Sequence, residues 1–219
     1  CLSRHQRRTR DVAIGTPMTT RLLLVVILAG LLVVLPTQGI GHATAWPNLE
    51  TSFPAVHRLV RPDGATCSTW RAVGAIFITA AHCTTEYRQV IVGDVLAQVV
   101  KMDENMDLAA LFVVGRGGPA LALRRTSIER GDLVVALGYA GGLQKVYPTF
   151  GWVMHPFDAP LGEEYGSGLV IYGPFIPGMS GGPILDKNLK VVSIVRAAWP
   201  PIGLGAAQDD LKAFLAPFL

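Results

Sequence analysis

Charge is scarce in this chain. Only 16 % of its 219 residues are Asp, Glu, Lys or Arg, against 50 % apolar. That balance excludes a disordered tail and leaves ample material for a core. Basic surface is scarcer still than the net charge of +3 suggests. Residues 1–45 hold five arginines (Arg4, Arg7, Arg8, Arg10 and Arg21) and one acid, Asp11, so the rest of the chain carries about −1. Without a basic patch there is no electrostatic footprint for nucleic acid, and none is expected as a partner. Internal repeats and low-complexity blocks are missing too, which argues against a repeat architecture. Cysteines number three, and Cys67 and Cys83 with His82 lack a fourth ligand, so neither a zinc site nor any other metal or cofactor is expected. No histidine follows His155.

What is present is a chain rich in turn formers, 24 Gly and 15 Pro, between short apolar runs, the pattern of a mainly β protein. Ahead of it stands a different segment. Met18 and Arg21 precede an apolar run from Leu22 to Leu35, a break at Pro36 and Gly39, and Ala43-Thr-Ala45. These are the parts of a secretory signal with cleavage after Ala45, which makes the expected product secreted or extracytoplasmic. The alternative is an anchor helix retained over 22–40, although fourteen residues fall short of the roughly 20 that a span needs. Residues 1–17 read as an extension outside the native or translated chain.

Strand signals follow at 55–60, ended by the turn Arg61-Pro-Asp-Gly64, and at 75–78. A hairpin over 89–100 turns at Gly93-Asp94, and an apolar run at 108–113 comes straight after Asp107. His57 reads as a half-exposed strand histidine without a catalytic task. Gly115-Arg-Gly-Gly-Pro119 is the best linker, and strand signals restart at 131–138, 145–154, 168–172 and 190–197. Residues 208–218, with Leu211, Phe214 and Leu215 at helical spacing, predict a short C-terminal helix on the second half. Between the last two strand signals lies Gly178-Met-Ser-Gly-Gly-Pro183. Its glycines permit backbone geometries that a Cβ forbids, leaving Ser180 as a candidate nucleophile and the amides of Gly178 and Ser180 as a candidate oxyanion hole.

A serine needs a base and an orienting acid. Thr79-Ala-Ala-His-Cys83 resembles the catalytic-histidine signature of the chymotrypsin/trypsin-like serine proteases, and Asp107-Leu-Ala-Ala-Leu resembles the run around that family's aspartate. The resemblance covers roughly Phe53 to Phe218. It implies an all-β fold of two antiparallel six-stranded barrels with a short C-terminal helix: residues 46–118 with His82 and Asp107, and 119–219 with Ser180. It also implies a Cys67–Cys83 disulfide, since the family bridges its histidine loop at that separation; a Cys83 nucleophile is the competing reading. The runs at 131–143 and 202–206 resemble the HtrA-type branch, without a trailing PDZ domain.

Chain order weighs between chemistries. An α/β-hydrolase would place its acid and histidine after Ser180, where no histidine exists. The order His82, Asp107, Ser180 is that of chymotrypsin. The resemblance further implies substrate contacts at Pro174 and Phe175, and backbone pairing of substrate along Arg196, Ala197 and Ala198. Pro174 stands where trypsin-like enzymes carry an acid, so apolar side chains of small or medium size are expected in place of basic ones. Met179 replaces the acid used in zymogen activation, so activity is expected without a second cut. The expected function is a secreted or surface-anchored serine endopeptidase acting on polypeptides. A silent protease-like binding module and a viral or phage precursor-processing protease are the alternatives.

Overall fold

The computed structural model describes residues 46, 48–156 and 168–219. The expected signal or anchor helix lies outside the described residues. Among those described, no helix is long and apolar enough to cross a membrane.

The first six strands are β1 (Val56–Val60), β2 (Thr66–Val73), β3 (Ile76–Thr79), β4 (Gln89–Val92), β5 (Val95–Asp103) and β6 (Leu108–Val113). They close in the order β1-β2-β3-β6-β5-β4. Alternation does the sorting: in β4, Val90 and Val92 are buried while Gln89 and Ile91 face out. The second set is β7 (Leu133–Gly138), β8 (Tyr147–Pro156), β9 (Gly168–Tyr172), β10 (Pro183–Leu185), β11 (Val191–Trp199) and β12 (Ile202–Ala206). It closes as β10-β11-β12-β9-β8-β7. Both are antiparallel six-stranded barrels, as the resemblance implied.

The segment between β6 and β7 is tied down at several points. Arg116 ion-pairs with Asp94, and its Nη1 lies 3.2 Å from Nδ1 of His57. Arg124 pairs with Asp132 at 3.0 Å and approaches the buried Asp186 at 3.7 Å, while Gln208 donates to the Arg124 and Thr126 carbonyls. The chain from one barrel to the other is therefore braced against both barrels and the C-terminal helix.

That helix, α1 (Gln208–Leu215), buries Leu211, Phe214 and Leu215. It is shorter than the sequence suggests. Pro217 has no N–H to continue the ladder, and the chain tightens to a 3-10 turn over Ala216–Phe218. Nor does it belong to the second barrel alone. Its apolar face joins one core with Leu59 and Trp70 of the first barrel and Leu185, Val191 and Ile194 of the second. Lys101 of β5 donates to the Phe214 carbonyl at 2.8 Å, placing a cation at the negative end of the helix.

Candidate active site

His82 sits in the single 3-10 turn Ala81–Cys83 that follows β3. Its neighbour Cys83 is disulfide-bonded to Cys67 of β2, which pins the turn to the barrel wall. The disulfide also settles two readings of this cluster. The sulfurs and the imidazole lie within 4.8 Å of one another. With the sulfurs bonded to each other, no thiolate is left for a metal or for nucleophilic attack.

Asp107 occupies the tight turn between β5 and β6. Its φ is +51°, a left-handed conformation that aspartate tolerates better than most residues. Asp103 Oδ1 accepts the Met106 amide at 3.0 Å, and the Glu104 carbonyl accepts the Asp107 amide at 3.2 Å. Those two acids build the turn, and the turn aims Asp107. Its Oδ1 accepts the His82 amide at 2.9 Å, and Oδ1 and Oδ2 lie 3.1 and 3.0 Å from His82 Nδ1. A carboxylate facing Nδ1 selects the tautomer with the proton there and leaves Nε2 as the acceptor. The Asp107 side chain is 14 % exposed and that of His82 is 46 % exposed, so a mostly buried acid holds an accessible base.

Ser180 reaches this place from the second barrel because its loop is stitched onto β2. The Ser68 amide donates to the Ser180 carbonyl at 2.7 Å. The Ser68 hydroxyl donates to the Gly178 carbonyl at 2.8 Å and accepts the Tyr139 amide at 2.9 Å. Thr79 Oγ1 donates to the Ser68 carbonyl at 2.8 Å and closes the network. Cys83 Sγ lies 3.9 Å from the Ser180 carbonyl, so the serine stands beside the residue that follows His82. Gly178 (φ +89°) and Gly181 (φ +81°) both require left-handed backbone. A Cβ on Gly181 would also collide with Thr79 Oγ1 and the Ser68 carbonyl.

Within the loop, the amides of Met179, Gly181 and Gly182 are taken by the carbonyls of Ile176, Val195 and Met179. Those of Gly178 and Ser180 have no acceptor among the described residues. Met179 itself is fully buried in the second-barrel core, with Thr149 Oγ1 3.5 Å from its sulfur.

The expected substrate-contact residues separate. Pro174 is exposed, whereas Phe175 is fully buried. The Phe175 ring packs where a Cβ on Gly203 or Gly173 would be. Phe175 is thus part of the core floor and not a free pocket wall. Ala197 and Ala198 pair with Leu204 and Gly203 of β12. On the other edge of β11, β10 runs alongside only as far as Ile194. Arg196 turns away from this edge: its side chain is 7 % exposed, with Nε 3.5 Å from Asp107 Oδ2.

His57 plays no part in the cluster. Its ring packs on Phe77, and burial first, then the nearby Arg116 and Arg71, push its pKa down to about 4, so it is neutral. Open volume is a poor guide here too. Cavities of about 680 and 920 Å³ flank Ala122–Arg125, and the triad candidates line neither. Sequence reading missed Ser68, and gave Thr79 only as the first residue of the histidine signature. The one available signal for Ser68 was its place directly after Cys67.

The family model for the trypsin-like peptidase domain matches residues 59–194, from β1 into β11. No curated protein sequence matches the chain. Among solved structures, the Rv3671c protease from M. tuberculosis in its active form superposes with a TM-score of 0.69 at 24 % identity, over 78 % of this chain and 83 % of that one. The HtrA-type protease AlgW with a tripeptide gives 0.69 at 26 % identity, over 80 % of this chain and 62 % of that one. The serine endoprotease from Yersinia pestis gives 0.67 at 20 % identity, over 77 % and 64 %.

Proposed function

Because the chain belongs to the trypsin-like peptidase family, we propose that it is a serine endopeptidase working through Ser180, His82 and Asp107. The observation that carries this reading is the pairing of a mostly buried Asp107 with the ring and amide of an accessible His82, beside a serine loop clamped by Ser68. Ser180 Oγ attacks the substrate carbonyl while His82 Nε2 takes its proton. Asp107 holds the imidazole and stabilises its charged form. The Gly178 and Ser180 amides receive the oxyanion. Collapse expels the amine, which takes the proton from His82, and leaves an acyl-enzyme on Ser180. A water activated by the same base then hydrolyses the ester.

Substrate is held as an added strand on the edge of β11 at 196–198, where β10 offers no ladder partner. The Phe175 ring fills the floor against Gly203, which favours small apolar side chains. Met179 lies buried where an activating acid would stand, so no ion pair with a freed N-terminus is needed. Residues 46–118 and 119–219 form the two halves of the catalytic unit. Residues 18–45 carry it out of the cytoplasm as a signal or, uncleaved, as an anchor. Profiling cleavage of a peptide library by wild-type protein and Ser180→Ala tests the assignment. Cleavage after small apolar residues, absent in the variant, is expected; a profile dominated by Arg or Lys overturns the specificity, and cleavage by Ser180→Ala overturns the nucleophile.

A further inference from the structure

Arg196 is a buried cation that the mechanism above does not use. It stands at an irregularity of the β11–β12 ladder: Val195 pairs with Gly205 and Ala197 with Leu204, so Arg196 is the extra residue of a β-bulge. A bulge re-aims one side chain without disturbing the strand around it. Here the side chain is 7 % exposed, and its Nε lies 3.5 Å from Oδ2 of Asp107. The ion pair crosses from the second barrel to the first. His82 approaches the same carboxylate through its amide and Nδ1.

Resting on the serine-protease reading, we infer that Arg196 is a positioning residue: its charge, with Nε 3.5 Å from Oδ2, holds the Asp107 carboxylate so that both oxygens stay on His82. The carboxylate is mostly buried and sits on a left-handed residue. A mostly buried carboxylate without a counter-charge turns toward solvent, and that loosens its grip on imidazole. The guanidinium also couples the barrels. Asp107 is aligned only when β11, which carries the substrate edge, is seated against the first barrel. A cation that merely repelled positive charge developing on His82 would slow the reaction instead, so the sign of the change in kcat separates the two roles.

Peptide hydrolysis and the rate of fluorophosphonate labelling are measured for Arg196→Met, Arg196→Gln and Arg196→Lys in the full chain, each checked by thermal melting. Expected are a fall in kcat of at least tenfold for Met and Gln with KM within threefold, and partial rescue by Lys. Because Arg196 acts through Asp107, adding Arg196→Met to Asp107→Asn should change the labelling rate less than threefold. A kcat equal to or above wild type in the variants that fold, or a full further loss in the Asp107→Asn background, overturns the inference. The proton NMR signal of His82 Nδ1–H, assigned by its loss in His82→Gln, needs no turnover. A signal unaltered in Arg196→Lys and Arg196→Gln overturns the inference even if the wild-type protein does not label. Absence of wild-type labelling by itself refutes only the protease reading.

Discussion

Replacing Ser68 by alanine removes one oxygen from the seam between the barrels. That oxygen donates to the Gly178 carbonyl at 2.8 Å and accepts the Tyr139 amide at 2.9 Å. Both bonds are partly buried, so each is worth about 1 kcal/mol and the pair about 2 kcal/mol. For a chain of this length that lowers the melting temperature by about 4–8 °C. The Ser68 amide still holds the Ser180 carbonyl at 2.7 Å, and the disulfide still holds the histidine turn. The Ser180 loop is therefore loosened without being released. About 1.4 kcal/mol of the loss, a tenfold fall in kcat/KM, is expected to reach the transition state through the Gly178 end of the loop. Denaturant unfolding and peptide hydrolysis on the same preparations read both quantities. A stability change under about 0.5 kcal/mol with unchanged kcat/KM would refute the clamp, since ordinary surface substitutions fall in that range.

Two further perturbations probe the first barrel. His57 has its pKa lowered from 6.5 to about 4, so on acidification the unfolded chain takes up its proton first, and stability falls between those values and levels off below them. A fully buried ring would lose about 3 kcal/mol over that window; a half-buried one, partly screened by solvent, should lose about 1 kcal/mol. His57→Gln removes this component. An equal stability gap between the two proteins at pH 7 and pH 4 would show that His57 is not held neutral. Replacing Cys67 and Cys83 by alanine opens a sixteen-residue separation and should cost about 3 kcal/mol, about 6–12 °C in melting temperature. A shift under about 2 °C in calorimetry would mean that the bridge constrains little.

The barrels were legible where periodicity carried them. The strand expected at 168–172 is β9 to the residue, and the hairpin over 89–100 is β4 with β5, which runs on to Asp103. β2 was not, because Ser68 and Thr69 in its middle are polar yet fully buried. Their hydroxyls are satisfied by the Gly178 and Ile78 carbonyls, one of them 110 positions away, and composition cannot announce such partners. β10 is three residues long and begins at a proline after two glycines, which reads as a turn. At the site, the residue types around His82, Asp107 and Ser180 form recognisable runs. The left-handed backbone that aims Asp107 is a property of the folded turn, and the bulge that turns Arg196 inward is a property of the β11–β12 register. Phe175 illustrates the same limit: the resemblance implied a substrate contact there, while Gly203 of the facing strand leaves a seat for its ring in the core.

In the proposed mechanism Ser180 is a nucleophile activated by His82. Fluorophosphonate reacts with such a serine and spares an ordinary one, so the most direct test is mass mapping of the adduct on purified protein. One adduct is expected on the peptide containing Ser180, absent in Ser180→Ala and formed at least a hundredfold more slowly in His82→Ala, about 2.7 kcal/mol of lost activation. No adduct on well-folded protein, or an adduct that persists in Ser180→Ala, would contradict the mechanism.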